Sequence, residues 1–204
     1  MAKSDPTKSE PATNNSRIDD KIDSLLLEKR RLFLCDAIDN DTAQDIIRKI
    51  WYLEAKDPGQ PITLVINSPG GSIDAGFAIW DQLKMIKCPV ATLVTGLAAS
   101  MGSILSLSAS PKLRFATPNS RFMVHQPRLS GVIQGQATDL EIQAREMLKT
   151  RRILIDLYVK STGKNTAAIE KAIDRDMWMT AEEAKEFGML DAIVNSYEEM
   201  NKYF

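Results

Sequence analysis

From Arg17 onward, stretches with helical apolar spacing alternate with short continuous apolar runs, and this alternation restricts the chain to a layered α/β architecture. Ile18, Ile22, Leu25 and Leu26 fall at i, i+4, i+7 and i+8, the spacing of a short amphipathic helix, and the strand-like run Arg31–Cys35 comes next. Asp41 stands where a helix cap is needed, ahead of the apolar stripe Ala43, Ile46, Ile47, Ile50 and Leu53. Pro58-Gly59 breaks that helix, and Pro61–Ile66 reads as a buried strand. A third helix carrying Ile73, Phe77, Trp80 and Leu83 leads through Pro89 into the strand Val90–Val94, so the units are βαβ repeats of one architecture. Further on, Arg121–Val124 reads as a strand and Ala137–Val159 as a long helix. Thr180-Ala-Glu-Glu183 is a capping box that opens a short helix, with Gly188 as its stop. No longer repeat recurs, which excludes a solenoid.

Composition narrows the function classes. With 204 residues the chain is long enough to bury a core of its own without disulfides. We expect one soluble domain over residues 17–204, preceded by a mobile polar tail over 1–16 whose only apolar residues are Met1, Ala2 and Ala12. The tail lacks the apolar stretch of a signal peptide. Lys and Arg number 26 against 27 Asp and Glu, for a net charge of −1, so no basic field favours nucleic acid or an anionic membrane. The uncharged run Cys88–Pro111 is interrupted throughout by Ser, Thr, Gly and Pro and fits a buried strand, a turn and a buried helix better than a membrane span. Cys35 and Cys88 lie far apart and there is one His, which points to a reducing, cytoplasmic setting with no structural metal and no cofactor.

Two turns exceed what packing requires. Asn67-Ser-Pro-Gly-Gly-Ser72 joins a buried strand to a helix, and its adjacent glycines allow backbone N–H groups to face open space, as in an oxyanion site. A tight βα turn would use the same residues. It is no phosphate cradle, because no G-x-x-x-x-G-K-[ST] sequence occurs. Gly96-Leu-Ala-Ala-Ser-Met-Gly102 sets Ser100 at a helix mouth among small residues, in an A-x-S-x-G pattern that departs from the G-x-S-x-G elbow. A nucleophilic serine needs a base, and the single histidine, His125, ends a strand and is succeeded by Gln126-Pro127. Acidic candidates to orient it are many. Asp176 precedes a short apolar strand and so could reach inward, although Arg175 offers it a surface partner.

These residues resemble the proteolytic subunit of the Clp ATP-dependent protease. The resemblance runs from about Leu32 to Val194 through Ile66–Gly71, Gly96–Gly102, Met123-Val-His-Gln-Pro127, Gly135–Asp139, Asp174-Arg-Asp176 and Ala184–Asp191. It implies a crotonase-like spiral of βαβ units with a protruding helix-strand handle. It implies a serine endopeptidase with Ser100 as nucleophile, His125 as base and Asp176 as orienting acid, with an oxyanion hole from the N–H groups of Gly71 and Met101. It also implies two stacked seven-membered rings, of one subunit or shared with a paralogue, that receive unfolded substrates from an AAA+ unfoldase of the Clp type. Ile142, Leu148, Ile155 and Leu157 exceed one apolar stripe on the long helix, which suits burial between rings.

The chain departs from the common pattern at three places. The tail before Ile18 is unlike the usual axial loop. Thr63, Val65 and Met85 stand where many members place aromatic residues to receive the unfoldase. The segment 128–134, near Val132 where a substrate backbone would align, is about two residues longer than usual. Other readings are an acyl-CoA hydratase or hydrolase on the same fold, a Ser-Lys peptidase that dispenses with His125, and an inactive ring subunit. The Ser-His pair in its Met-Gly and His-Gln-Pro contexts argues against the first two, and the complete Ser100, His125 and Asp176 set weighs against the third.

Overall fold

A computed structural model describes residues 14–128 and 135–204. Helix α1 (Asn14–Glu28) leads into strand β1 (Arg31–Leu34), then α2 (Asn40–Lys56), β2 (Ile62–Ser68), α3 (Ile73–Met85) and β3 (Val90–Ala99). The chain continues through α4 (Met101–Ser106), β4 (Arg114–Ala116), β5 (Arg121–Val124) and the 26-residue α5 (Ala137–Thr162). It closes with α6 (Thr166–Ile173), β6 (Met177–Thr180), α7 (Ala181–Phe187), β7 (Ala192–Ile193) and α8 (Tyr197–Asn201). Asn14–Ser16 therefore belong to α1 rather than to the tail expected over 1–16, and the rest of that tail lies outside the described residues, as does Val132.

Strands β1, β2, β3, β4 and β7 pair in that order, all parallel, as expected of strands joined through crossover helices. The exception is a branch at β3. Its first half, Thr92–Val94, pairs with β4, whereas Leu97–Ala99 pair with β5, which in turn pairs antiparallel with β6. The change of partner falls at a register shift against β2: Ile66 faces Val94 but Ser68 already faces Ala98. Such a bulge bends a strand and re-aims the residues beyond it. Gly96 sits inside it at φ 92°, where a Cβ would stand 2.7 Å from Asn67 Oδ1, the atom that accepts the Leu97 N–H. The sequence reading of Gly96–Gly102 as a turn is thus corrected: the strand runs through Ala99, and the reversal is confined to Ser100.

The main core lies between the sheet and helices α2 to α6, with Leu32, Leu64, Ile66, Val94, Ile104 and Phe122 at its centre, all essentially inaccessible. The α2 stripe faces it as its spacing requires, with Ala43, Ile46, Ile50 and Leu53 buried. Its cap, however, is Asp39 and not Asp41: the Asp39 carboxylate accepts the Thr42 N–H at 2.8 Å, which leaves Asp41 in the first turn beside the positive end of the helix dipole. The Thr180–Glu183 capping box and the left-handed Gly188 stop form as read. Arg114 staples the far side, donating to both Asp191 carboxylate oxygens and to the carbonyls of Ser161 and Gly188.

Helix α5 is divided along its length. Its second half enters the core through Leu154, Ile155 and Tyr158, and the buried Tyr158 hydroxyl meets Ser103 at 2.8 Å. Its first half leaves Ile142 and Leu148 58% and 65% exposed. Ile155, which its spacing groups with residues free for a partner, is instead fully buried in its own subunit. Truncation there empties core volume, so Ile155→Ala should lower unfolding stability by about 2 to 5 kcal/mol in a denaturant titration.

Candidate active site

Four chain reversals meet at one end of the sheet. The β2–α3 turn brings Gly71, the β3–α4 junction Ser100, the end of β5 His125 and the start of β6 Asp176. Because β5 and β6 are antiparallel with Val124 opposite Met177, the residue after Val124 and the residue before Met177 are brought side by side. Two bonds from Gln126 fix that junction: its N–H donates to the Ile173 carbonyl at 2.8 Å and its side-chain amide to the Asp174 carbonyl at 3.1 Å. Likewise Ala99 is in register with Met123, and the Ser100 N–H donates to the Met123 carbonyl at 2.9 Å.

Ser100 adopts φ 53° and ψ −122°, a conformation residues with side chains rarely occupy. Its neighbours are built to permit it. A Cβ on Gly70 would stand 2.7 Å from both the Ala99 carbonyl oxygen and Ser100 Cβ, and one on Gly71 would stand 2.2 Å from the Ile38 carbonyl oxygen. The glycines therefore let the β2–α3 turn press against the serine on one side and against Ile38 on the other. Ile38 donates its N–H to the Gly70 carbonyl and accepts the Ser72 N–H, locking the turn from behind. Ser68 completes the brace, with its hydroxyl donating to the Asp36 carbonyl and accepting the Gly70 N–H.

The Ser100 hydroxyl lies 2.7 Å from His125 Nε2. This is hydrogen-bond distance, the geometry a general base needs to take a hydroxyl proton. Asp176 is less close. Its Oδ1 lies 3.7 Å from His125 Nδ1, which is buried and has no hydrogen-bond partner among the described residues, while Arg128 pairs with the same Oδ1. The Asp176 partner is thus Arg128, not its sequence neighbour Arg175, whose guanidinium instead donates to the Asp174 carbonyl. Arg128 carries no local signal in the sequence, since it lies in the atypical segment after Pro127.

Gly71 and Met101 both line the cleft with Ser100 and His125. Met101 is the first residue of α4, so its N–H has no intrahelical acceptor. The Ser100 N–H, by contrast, is already bound to Met123. The cleft has a volume of about 650 Å³, and its apolar wall is formed by Ile73, Met101, Ile104, Met123, Leu154 and Tyr158. The two thiols are poor competitors for the nucleophile's role. Cys88 is buried and pushed up to about 11 by burial and by Glu54, and Cys35 is raised by burial and by Asp36.

The family is decided by comparison. A family model described as Clp protease matches residues 14–197. The chain belongs to the Clp protease family. Over 185 residues it is 69% identical to ATP-dependent Clp protease proteolytic subunit 1 of Protochlamydia amoebophila, covering 91% of this chain and 90% of that relative. It is 58% identical to the protein of the same name from Chlamydia caviae, over 91% and 97% of the two chains. Against that from Chlamydia pneumoniae it is 60% identical over 90% and 96%. The Clp proteases are serine-type peptidases, and the members of this family are hydrolases of peptide bonds.

The His125 imidazole is held below its ordinary value of 6.5, first by burial and then by the Arg128 charge, with Asp176 opposing. Both leading causes disfavour the imidazolium. A base must be neutral to accept a proton, so the acid limb of Ser100 reactivity should have its midpoint below the ordinary histidine pKa. The pH dependence of Ser100 modification by a fluorophosphonate checks this. A midpoint at or above 6.5 would contradict it.

Proposed function

We propose that this chain is the serine endopeptidase subunit of a chambered, ATP-dependent protease, hydrolysing short peptides and unfolded polypeptides through an acyl-enzyme on Ser100. The observation that carries the reading is the 2.7 Å contact between the Ser100 hydroxyl and His125 Nε2 at a strained helix mouth. His125 takes the hydroxyl proton as Ser100 attacks the scissile carbonyl. The Gly71 and Met101 N–H groups receive the oxyanion, a contribution worth about 3 kcal/mol per donor in comparable sites. His125 then passes the proton to the leaving amine, and water repeats the cycle on the ester. Asp176 holds the imidazole tautomer and steadies the imidazolium. No metal or cofactor enters these steps.

The architecture in this reading is the crotonase-like spiral, one catalytic domain that begins with α1, with the first half of α5 as part of the handle. Exposed Ile142 and Leu148 suit burial against a second ring, in an assembly of two stacked seven-membered rings built from this subunit alone or with a paralogue. At the docking face, Met85 is 75% exposed, and Gln82 links it to Trp51, donating to Met85 Sδ and accepting the Trp51 indole N–H. Trp51 thereby supplies aromatic area that Thr63 and Val65, both buried, do not. This surface suits an apolar loop of a Clp-type AAA+ unfoldase. We place the protein in the cytoplasm, and among the described residues no helix is long and apolar enough to cross a membrane.

On the assembled species isolated by size exclusion, a fluorophosphonate should label Ser100, and Ser100→Ala should abolish both labelling and hydrolysis of a short fluorogenic peptide. A stably folded substrate should survive until a Clp-type unfoldase and ATP are added. Labelling mapped to another residue, or rapid loss of the folded substrate without ATP, would overturn the reading.

A further inference from the structure

We infer that Arg128 is a positioning residue that withholds Asp176 from His125, so that the Ser-His pair rests without its acid until Arg128 lets go. The inference rests on the roles proposed for Ser100 and His125. It starts from one carboxylate oxygen with two suitors. Asp176 Oδ1 pairs with the Arg128 guanidinium and stands 3.7 Å from His125 Nδ1, beyond hydrogen-bond reach. The guanidinium is a permanent cation with forked donors, whereas the resting imidazole offers one neutral N–H. Charge-assisted bonds are the stronger kind, so Arg128 wins the oxygen.

The loser is left in an unfavourable state. Among the described residues, the buried His125 Nδ1 has no hydrogen-bond partner. Buried polar atoms are almost always paired, and an orphan has a standing tendency to acquire a partner. The geometry keeps one within reach, because Asp176 needs to move by only about an ångström to come into hydrogen-bond range of Nδ1. The clamp is also loose. The Arg128 side chain is 58% exposed and that of Asp176 38%, so solvent screens their attraction. A weakly held cation opposing an unsatisfied buried nitrogen is an arrangement that can switch between two states. Arg128 itself lines the substrate cleft, where an occupant would meet it.

A merely structural role for Arg128 would give the opposite sign. If the guanidinium helped to aim Asp176 at His125, its removal would slow the reaction. If it withholds Asp176, removal speeds it. Removal also takes away a positive charge and gives the imidazolium a carboxylate partner, and both effects raise the His125 pKa.

The test is a double-mutant cycle on Arg128 and Asp176, read by the rate of fluorophosphonate attack on Ser100 across pH in matched oligomeric fractions. Arg128→Ala should raise the plateau rate about tenfold, well within the roughly 10⁴-fold that an orienting carboxylate supplies in comparable triads. It should also move the midpoint of the acid limb upward. Asp176→Asn should cost at least about ten times more in the Arg128→Ala background than in the native one. Arg128→Gln, which keeps most of the side-chain volume, should behave like Arg128→Ala and so exclude a packing effect. A slower Arg128→Ala protein, an unmoved midpoint, or an equal cost of Asp176→Asn in both backgrounds would overturn the inference while leaving Ser100 and His125 in their roles. Failure to label Ser100 in every variant would overturn the parent assignment and this inference together.

Discussion

Ser100 lies at φ 53° and ψ −122°, and a conformation of this kind persists only when its surroundings over-determine it. The strain is on the order of 1 to 3 kcal/mol, and several elements converge to hold it. From the sheet, Met123 takes the Ser100 N–H; from the β2–α3 turn, Gly70 presses on the Ser100 Cβ; from the buried side, Ser103 donates its hydroxyl to the Ser100 carbonyl and is itself held by Tyr158. Gly102 lets α4 approach the Ser68 carbonyl to 3.0 Å of where a Cβ would stand. The long helix α5 thus reaches Ser100 through two hydroxyls, which ties a candidate inter-ring element to the proposed nucleophile.

The same constraint decides which backbone donors are left for the substrate. With its own N–H committed to Met123, Ser100 cannot contribute it to an oxyanion, and in the proposed mechanism the task passes to the next residue, Met101, and across the cleft to Gly71. The bulge at Gly96 is what makes this possible, because it turns β3 from β4 toward β5 and so delivers Ser100 beside His125. The electrostatics are less settled than the backbone. Ser100 and His125 are in contact, whereas the Asp176 carboxylate proposed to serve them pairs with Arg128.

Much of this is legible in the amino-acid sequence. Strands β1, β2, β3 and β5 and helices α2, α3, α5 and α7 emerge from apolar spacing and caps, and Ser100, His125, Gly71 and Met101, singled out in the sequence, line one cleft. The features that escape have physical causes. Asp39 and Asp41 are equivalent as cap residues, and only the backbone geometry selects Asp39. Gly96 signals a turn, yet a bulge inside a continuing strand uses the same positive φ. Strands of two or three residues such as β4 and β7 are too short to show a period, and α6 spans only eight residues. Ile155 reads as surplus to one stripe because α5 changes environment midway. The Arg128 contact joins residues 48 positions apart, which no local pattern encodes.

The central claim is that a strained Ser100, served by His125, faces an oxyanion site made by Gly71 and Met101. A crystal structure of the assembled protein with a peptide boronate tests it most directly. The expected result is a covalent bond from boron to Ser100 Oγ, with one boronate oxygen about 2.7 to 3.1 Å from both the Gly71 and Met101 nitrogens. A boronate bonded elsewhere, or one on Ser100 whose oxygens turn away from both N–H groups, would contradict it.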